Sequence, residues 1–470
     1  MSSERPNIIF ISAEQQRADT VHASGATWMQ TPNLDALAGE SAVFDKAFAP
    51  AATCVSSRAA FYTGLYPHNT GIYGFQESSG CLHWLPRLTE QGYHCVSIGK
   101  THLPPTGFDE HLAEHDNKCS LQVRGEDCDW IRAVHAAGYE SPFDLHETDP
   151  NFYDNLAAIV WPLPEELHPD IYMANRALEW LDAWDGRAPL YLHLGFLSPH
   201  DLYDPPQRFI DLYDDVDIPM PQVTAEEREG IPDELFAQQR RLEAAHGATV
   251  IKPSRATPER VRRMRKHYYA SVTMIDEKIG EVVEKLKEKG LYDDAVIIFT
   301  SDHGDHLFDH DLVYKGELYD TIVRVPLMVK APAVMPQLGR QDLVSHMDVV
   351  QYILDMAGAE GEGLHGVSLR TCVEQGSAHP NRYVFAEEGA TVLRPEPDLL
   401  VMIRSHTHKL VYFNGNHTGQ LFDLVVDPDE KRNLWGDPTH GQVQAELTAD
   451  LLDWLCSDLY RRRDLFVGAR

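Results

Sequence analysis

The sequence predicts an α/β fold: a large, mostly parallel sheet flanked by helices, followed by a small C-terminal antiparallel sheet with a helix. Three observations carry this. Short apolar runs rich in β-branched residues recur between residues 7 and 329 and alternate with helical stretches. That is the pattern of strands buried on both faces of a parallel sheet. Most of these runs are followed at once by polar residues able to do chemistry, as expected where ligands gather beyond the carboxyl ends of such strands. From about residue 376 the runs are joined by Asn414-Gly415, a hairpin turn signal.

Residues 7–12, with Ile8, Ile9, Phe10 and Ile11, read as the first strand, and Glu14 and Gln15 follow it. Thr31 and Pro32 offer an N-cap and a first-turn proline to a helix faced by Leu34 and Leu37. Cys54 opens a run that can form a helix, closed by Gly64. Residues 93–98 read as a strand before Lys100 and His102, residues 190–197 as a strand before His200, and residues 295–300 as a strand before Asp302 and His303. Residues 325–329 are a further strand, expected at a sheet edge because of Pro326. Helices are expected over residues 171–184 and 258–289. In the second, Thr257 caps, Pro258 opens and Gly290 closes, while Val261, Met264, Tyr268, Val272 and Ile275 recur every three or four residues.

Residues 104–168 are rich in acids, histidines and turn formers without periodicity, and read as an insertion able to roof a site. Strands at 399–404, 409–413 and 420–425 precede a final helix marked by Val443, Leu447, Leu451 and Leu455. The domains expected are therefore 1–375 and 376–470.

The chain has 470 residues, enough for two or three domains, and 43% hydrophobic with 24% charged residues suits a globular protein. Its formal charge of −31 argues against nucleic acid or an anionic membrane as partner. An anionic substrate would need a locally positive pocket. No run approaches a membrane-spanning length, and the first residues do not resemble an export signal. Seven scattered cysteines (54, 81, 95, 119, 128, 372 and 456) contain no C-x-x-C pair. They indicate neither a structural zinc site nor a disulfide framework, and a reducing, cytoplasmic compartment is expected.

Two groups of residues can carry chemistry. Cys54 falls near a helix N-terminus, where unpaired backbone N–H groups stabilise a thiolate or a bound anion. Arg58, one turn on, adds a donor fork suited to sulfate or phosphate oxygens. Glu14, Gln15, Asp302 and His303 offer two carboxylates, an amide oxygen and an imidazole. That set suits one divalent ion, Mn²⁺ or Ca²⁺, with Mg²⁺ also open.

The chain resembles the sulfatase family of the alkaline-phosphatase superfamily. The matching pieces are Pro6-Asn7-Ile8 through Gln16-Arg17-Ala18-Asp19, Thr31-Pro32-Asn33-Leu34-Asp35, and the stretch from Cys54 to Thr70. Then come Gly99-Lys100-Thr101-His102-Leu103, Ser198-Pro199-His200, Ser301-Asp302-His303-Gly304-Asp305, Lys315-Gly316 and Arg324-Val325-Pro326. Leu421-Phe422-Asp423-Leu424 to Asn433-Leu434 is similar to the family's C-terminal segment. The resemblance implies an alkaline-phosphatase-like catalytic domain over residues 1–375. It further implies that Cys54 is oxidised by a maturation enzyme to formylglycine, whose hydrate attacks sulfur or phosphorus. It implies one metal ion held by Glu14, Gln15, Asp302, His303 and the modified Cys54. Arg58 would steady the formylglycine and the sulfate, and Lys100 and Lys315 would contact sulfate oxygens. His102 would accept the diol proton during sulfate release, and His200, alone or with Lys315, would protonate the leaving oxygen.

Four positions depart from the family's usual pattern. Glu14 stands where aspartate is usual, Gln15 replaces a second aspartate, and His303 replaces asparagine. Ser56 stands where the maturation signal normally carries proline or alanine. Gln15 and His303 resemble the phosphonate monoester hydrolase branch, whereas Lys100 and His102 are the sulfatase-type residues. Three functions follow from the resemblance: a hydrolase of small-molecule or saccharide sulfate esters, a hydrolase of phosphonate monoesters or phosphodiesters on the same site, and a binding protein without turnover. The alcohol half of the substrate would be read by loops 74–80, 104–168 and 220–256, which match no motif. Homo-oligomer formation is left open.

Overall fold

The structure is a computed structural model describing residues 5–73, 83–102, 107–112, 128–140, 142, 149–246, 251–389, 399–415 and 417–467. The 74–80 loop, Cys81, Leu103 and Cys119 lie outside the described residues, as do parts of the 104–168 and 220–256 segments.

Fifteen strands are described, in chain order: β1 Ile8–Ala13, β2 Ala42–Phe44, β3 Ala47–Phe48, β4 His94–Gly99, β5 Glu110–Leu112, β6 Leu190–Gly195, β7 Val296–Ser301, β8 Arg324–Val325, β9 Leu327–Lys330, β10 Gln337–Arg340, β11 Val344–Ser345, β12 Val384–Gly389, β13 Leu399–Arg404, β14 His408–Phe413 and β15 Thr418–Asp423. Eight form one sheet in the order β10-β2-β9-β7-β1-β6-β4-β5, three form a small sheet β11-β3-β8, and four form a separate sheet β12-β13-β14-β15. In the large sheet β7, β1, β6, β4 and β5 run parallel. The separate sheet is wholly antiparallel. The predicted class is the observed one.

The apolar runs alternate cleanly between two cores. Ile9, Ile11, Val96, Ile98, Leu192, Leu194, Ile297 and Phe299 face the core on one side. Their neighbours Ile8, Phe10, Cys95, Tyr191, Val296 and Ile298 face the other. Both faces are buried, which is why these strands read as unbroken apolar runs. Helices α1 (Pro32–Gly39), α3 (Pro169–Ala183) and α4 (Pro258–Glu288) cover the first face. Helices α2 (Cys54–Thr63) and α5 (His346–Ala357) cover the second, and α6 (Gly441–Val467) ends the chain.

Two local expectations are corrected. Strand β9 is not at an edge but lies between β2 and β7, antiparallel to both. Pro326 sits between β8 and β9, where the chain passes from the small sheet into the large one. Its missing N–H therefore costs neither ladder a bond. Thr31 does not cap α1 with its side chain. Its Oγ1 instead accepts from His22 N at 2.9 Å and donates to Asp35 at 3.2 Å. Thr257 does cap α4, accepting from Arg260 N at 3.3 Å, and Gly290 follows the helix at φ 66°.

Described parts of the 104–168 segment join the main body: β5 extends the large sheet beside β4, and Phe152, Leu156 and Ala158 are buried in the first core. The C-terminal sheet docks through Asp320, which accepts from Arg404 Nη2 on β13 and Lys409 Nζ on β14, each at 3.0 Å. Burial pushes the Asp320 carboxyl up, but Arg404 and Lys409 outweigh it and hold the group well below its ordinary value. With a depressed folded value, the pairing stabilises fully above the unfolded carboxylate range and is lost as the pH falls through the folded value. Asp320→Ala is expected to cost about 3 kcal/mol at pH 7, because it leaves two buried cations short of a carboxylate. The cost should shrink in acid. Denaturant titrations at pH 7 and pH 3 check both statements, and a cost independent of pH would contradict the linkage.

No helix among the described residues is long and apolar enough to cross a membrane. The described cysteines, 54, 95, 128, 372 and 456, are all free thiols.

Candidate active site

Four adjacent parallel strands, β7, β1, β6 and β4, end on one edge of the large sheet, and each delivers predicted site residues there. Glu14 and Gln15 follow β1, Lys100 and His102 follow β4, His200 follows β6, and Asp302 and His303 follow β7. Helix α2 brings Cys54 and Arg58, and Lys315 comes from the connection between β7 and β8. Two glycines permit the close approach of β4 and β6. A Cβ on Gly99, at φ 91°, would meet Gly195 O at 2.3 Å, and one on Gly195 would meet Lys100 O at 2.2 Å. Gly195 O instead accepts the Lys100 N–H at 2.9 Å, which turns Lys100 into the site.

Asp302 is the centre of the constellation. It accepts from Gln15 N at 2.9 Å, Arg58 Nε at 2.9 Å and its neighbour His303 N at 3.0 Å. Ser57 Oγ donates to its carbonyl at 2.7 Å. Arg58 also donates to Lys100 O at 3.1 Å. Lys315 Nζ donates to Gln15 Oε1 at 2.7 Å and lies 3.8 Å from Cys54 Sγ. Lys100 Nζ is ion-paired with Glu14 Oε2, and His200 Nε2 lies 3.8 Å from Glu14 Oε1. One ligand atom each from Glu14, Cys54 and His102 falls within 4.8 Å of the others. All ten predicted residues are thus brought together, and Cys54, at 9% exposure, is the nearest of the core residues to open solvent.

Burial pushes the Asp302 carboxyl up, but the charges of Arg58 and Lys315 and the Gln15 N–H reverse this and hold it well below its ordinary value. Burial lowers Arg58, and Asp302 and Glu14 more than restore it. Glu14 is raised by burial despite Lys100. Burial lowers His303 to about 3 and His200 well below the ordinary imidazole range, so both are neutral. The Cys54 thiol is raised by burial, against which Lys315 works. The expected stabilised thiolate is therefore corrected. Cys54 does open α2, but desolvation, helped by the Glu14 and Asp302 carboxylates, outweighs the Lys315 and Lys100 ammonium groups.

The donor set fits one hard or borderline divalent ion. Glu14 Oε1 and His303 Nε2 are buried and without a hydrogen-bond partner among the described residues. Gln15 is held in place at φ 66°, a conformation that presents its N–H to Asp302.

Sequence reasoning missed the groups that orient these side chains. Asp305 accepts from Gln15 Nε2 at 2.5 Å and from Tyr203 OH at 2.8 Å, so it sets the amide so that Oε1 faces Lys315. Tyr268 OH donates to Gln15 O at 2.6 Å. Asp201 lies 3.1 Å from His200 Nδ1, and its carbonyl lies 2.6 Å from the same nitrogen. Asp170, at the start of α3, accepts from Leu197 N at 2.6 Å and Ser198 Oγ at 2.6 Å, fixing the loop that carries His200. Asp305 stands inside the Ser301–Asp305 motif, which was the one available signal. The others are single residues with no pattern around them.

A doubly covered, largely parallel sheet with a cysteine-bearing helix and buried carboxylates at its strand ends, in a chain matched by a sulfatase family model, belongs to the alkaline-phosphatase superfamily. The chain belongs to the sulfatase family: the family model described as Sulfatase matches residues 6–359, and the one described as N-sulphoglucosamine sulphohydrolase, C-terminal, matches residues 305–455. It is accordingly an enzyme, a sulfuric ester hydrolase. The chain is 30% identical to a choline-sulfatase of Rhizobium meliloti, over 96% of this chain and 86% of that protein. It is 28% identical to an arylsulfatase of Clostridium perfringens, over 92% and 90%. Among solved structures, a phosphonate monoester hydrolase from Silicibacter pomeroyi superposes with a TM-score of 0.81 at 23% identity, covering 96% of each chain.

Proposed function

We propose that the chain hydrolyses small-molecule or saccharide sulfate esters at the end of β1, using a formylglycine made from Cys54 by a maturation enzyme. The observation that supports this most is the convergence of Arg58, Lys100 and Lys315 on Cys54 and two buried carboxylates. In a chain of charge −31, three buried cations set against the carboxylates of Glu14 and Asp302 leave this point with a net positive charge, as an anionic ester needs. The cytoplasm is the proposed compartment.

When formed, the hydrated aldehyde supplies two hydroxyls, one to take the sulfuryl group and one to expel it. A divalent ion held by Glu14, Gln15, Asp302 and His303 beside residue 54 would lower the pKa of an oxygen bound to it and draw off charge from the ester. Mn²⁺ or Ca²⁺ suits the mixed donor set, with Mg²⁺ also open. The chain's own side chains do the rest. Arg58, fixed by Asp302, and Lys315, fixed by Gln15, offer donors to the ester oxygens, and Lys100 adds a third charge. His200 gives a proton to the leaving oxygen, and His102 takes one as sulfate departs. The neutrality of His200 means that its proton has to be acquired with the substrate's negative charge in place.

If His200 protonates the leaving oxygen, His200→Ala should cost alkyl sulfates about a hundredfold or more in kcat and nitrophenyl sulfate about tenfold or less. Rates across a leaving-group series measure this, and equal losses across the series would remove His200 from the role.

A second reading is hydrolysis of phosphonate monoesters or phosphodiesters on the same site. It is favoured by Gln15 and His303 in the metal set and by the likeness in fold to a phosphonate monoester hydrolase. Matched aryl sulfate and aryl phosphodiester substrates separate the two: a higher kcat/KM on the phosphodiester would overturn the sulfate ester as the preferred substrate in favour of the second reading.

A further inference from the structure

Strand β12 is an edge strand of the C-terminal sheet, with β13 on one side. Its other side is used by the chain just before α2. Glu387 N donates to Pro50 O at 3.0 Å, and Ala51 pairs with Glu387 in a parallel bridge. The next residue, Glu388, is wholly buried. It accepts from Ala52 N at 3.0 Å and from Thr53 Oγ1 at 3.0 and 3.1 Å. Thr53 Oγ1 has one proton and directs it to Glu388, so the 2.7 Å contact between Thr53 Oγ1 and Ser56 Oγ is donated by Ser56. A directed chain results, from Ser56 to Thr53 to Glu388, and it closes around Cys54 from both sides.

We propose that Glu388 is a positioning residue for the nucleophile: through Thr53 and Ser56 it sets the backbone at residues 52–56, and with it the direction of the side chain at 54. The C-terminal sheet is then part of the reaction machinery. The physics is that of a desolvated network. A buried carboxylate strengthens each hydrogen bond it accepts, each bond polarises the next, and removing one member loosens the rest. Ser56 gains a task in the folded protein that proline, without a hydroxyl, would not perform. The proposal rests on the reading that residue 54 carries the nucleophile.

The test compares Glu388→Gln, Thr53→Val and Thr53→Ser in the full chain, with rates expressed per aldehyde counted by mass spectrometry. Glu388→Gln and Thr53→Val should lower kcat about tenfold to a hundredfold, the scale of a misplacement near 1 Å. KM should stay within about twofold, and the loss should be equal across a leaving-group series. Thr53→Ser, which keeps the hydroxyl, should recover most of what Thr53→Val loses. Amide hydrogen exchange at residues 52–57 should quicken about tenfold in the two damaging variants. Unchanged kcat per aldehyde, a kcat loss matched by Thr53→Ser, or unchanged exchange would each overturn the proposal. Failure of the underlying reading shows separately, as a parent chain fully active with an unmodified thiol.

Discussion

Cys54→Ala is expected to lower kcat by about a thousandfold or more while leaving the fold intact. The side chain is small, so replacing its thiol with hydrogen removes one sulfur atom without opening a large cavity. Its neighbours are chemical in kind: Lys315 Nζ at 3.8 Å, with Glu14 and His102 close by. A thiol at this position is raised by burial and remains protonated. Even as a thiolate, once sulfated it would hold no second hydroxyl with which to expel sulfate. An aldehyde hydrate has that hydroxyl. Mass spectrometry of the peptide containing residue 54 should show the thiol replaced by an aldehyde or its hydrate in active protein, and activity should rise with the converted fraction. Full activity in protein with an unmodified Cys54 would overturn the mechanism.

The second large effect is expected at Asp302. Its carboxylate holds Gln15 N, Arg58 Nε and His303 N together. Asp302→Ala should abolish divalent-ion binding and lower kcat by about a thousandfold or more. It should also cost about 3–5 kcal/mol of stability, because Arg58, 4% exposed, is left as a buried cation without its carboxylate. Elemental analysis after dialysis reads the ion, and calorimetry reads the fold. A variant that kept one ion per chain would remove Asp302 from the metal set. Asp302→Asn, which keeps an acceptor for Gln15 N but not the charge, should lose the ion with a smaller loss of stability.

The large sheet and the site at its edge were legible for one reason. A strand buried on both faces must be apolar throughout, so Ile8 to Ile11 or Val296 to Phe299 announce themselves. The first polar residues after them mark where the strand leaves the core. Glu14, Lys100, Asp302 and His303 stand at such exits, and parallel neighbours bring the exits to one edge. What surrounds the site followed no such rule. Asp170, Asp201 and Glu388 are acidic residues like many others in an acidic chain. Only the fold shows that Asp170 and Glu388 are buried among backbone N–H and hydroxyl donors, and that Asp201 lies against the His200 ring. Pro326 misled because a strand's place in a sheet depends on where the ladder begins. The ladder of β9 begins one residue later. The thiol of Cys54 misled because a helix terminus is visible in sequence and desolvation is not.

The clasp between Thr53 and Glu388 joins residues 335 positions apart in the chain. On a ribosome, at about 5–20 residues per second, roughly 20–70 s pass between the emergence of one and of the other. Throughout that interval Thr53, Cys54 and Ser56 lack the partner that encloses them in the finished protein. An enzyme that must seat the segment around Cys54 as an extended peptide has this interval in which to act. Slowing synthesis downstream of residue 56 lengthens it, and rapid expression shortens it. On the proposal that residue 54 is converted, the yield of modified protein becomes a question of timing as well as of local sequence, set by a contact from the far end of the chain.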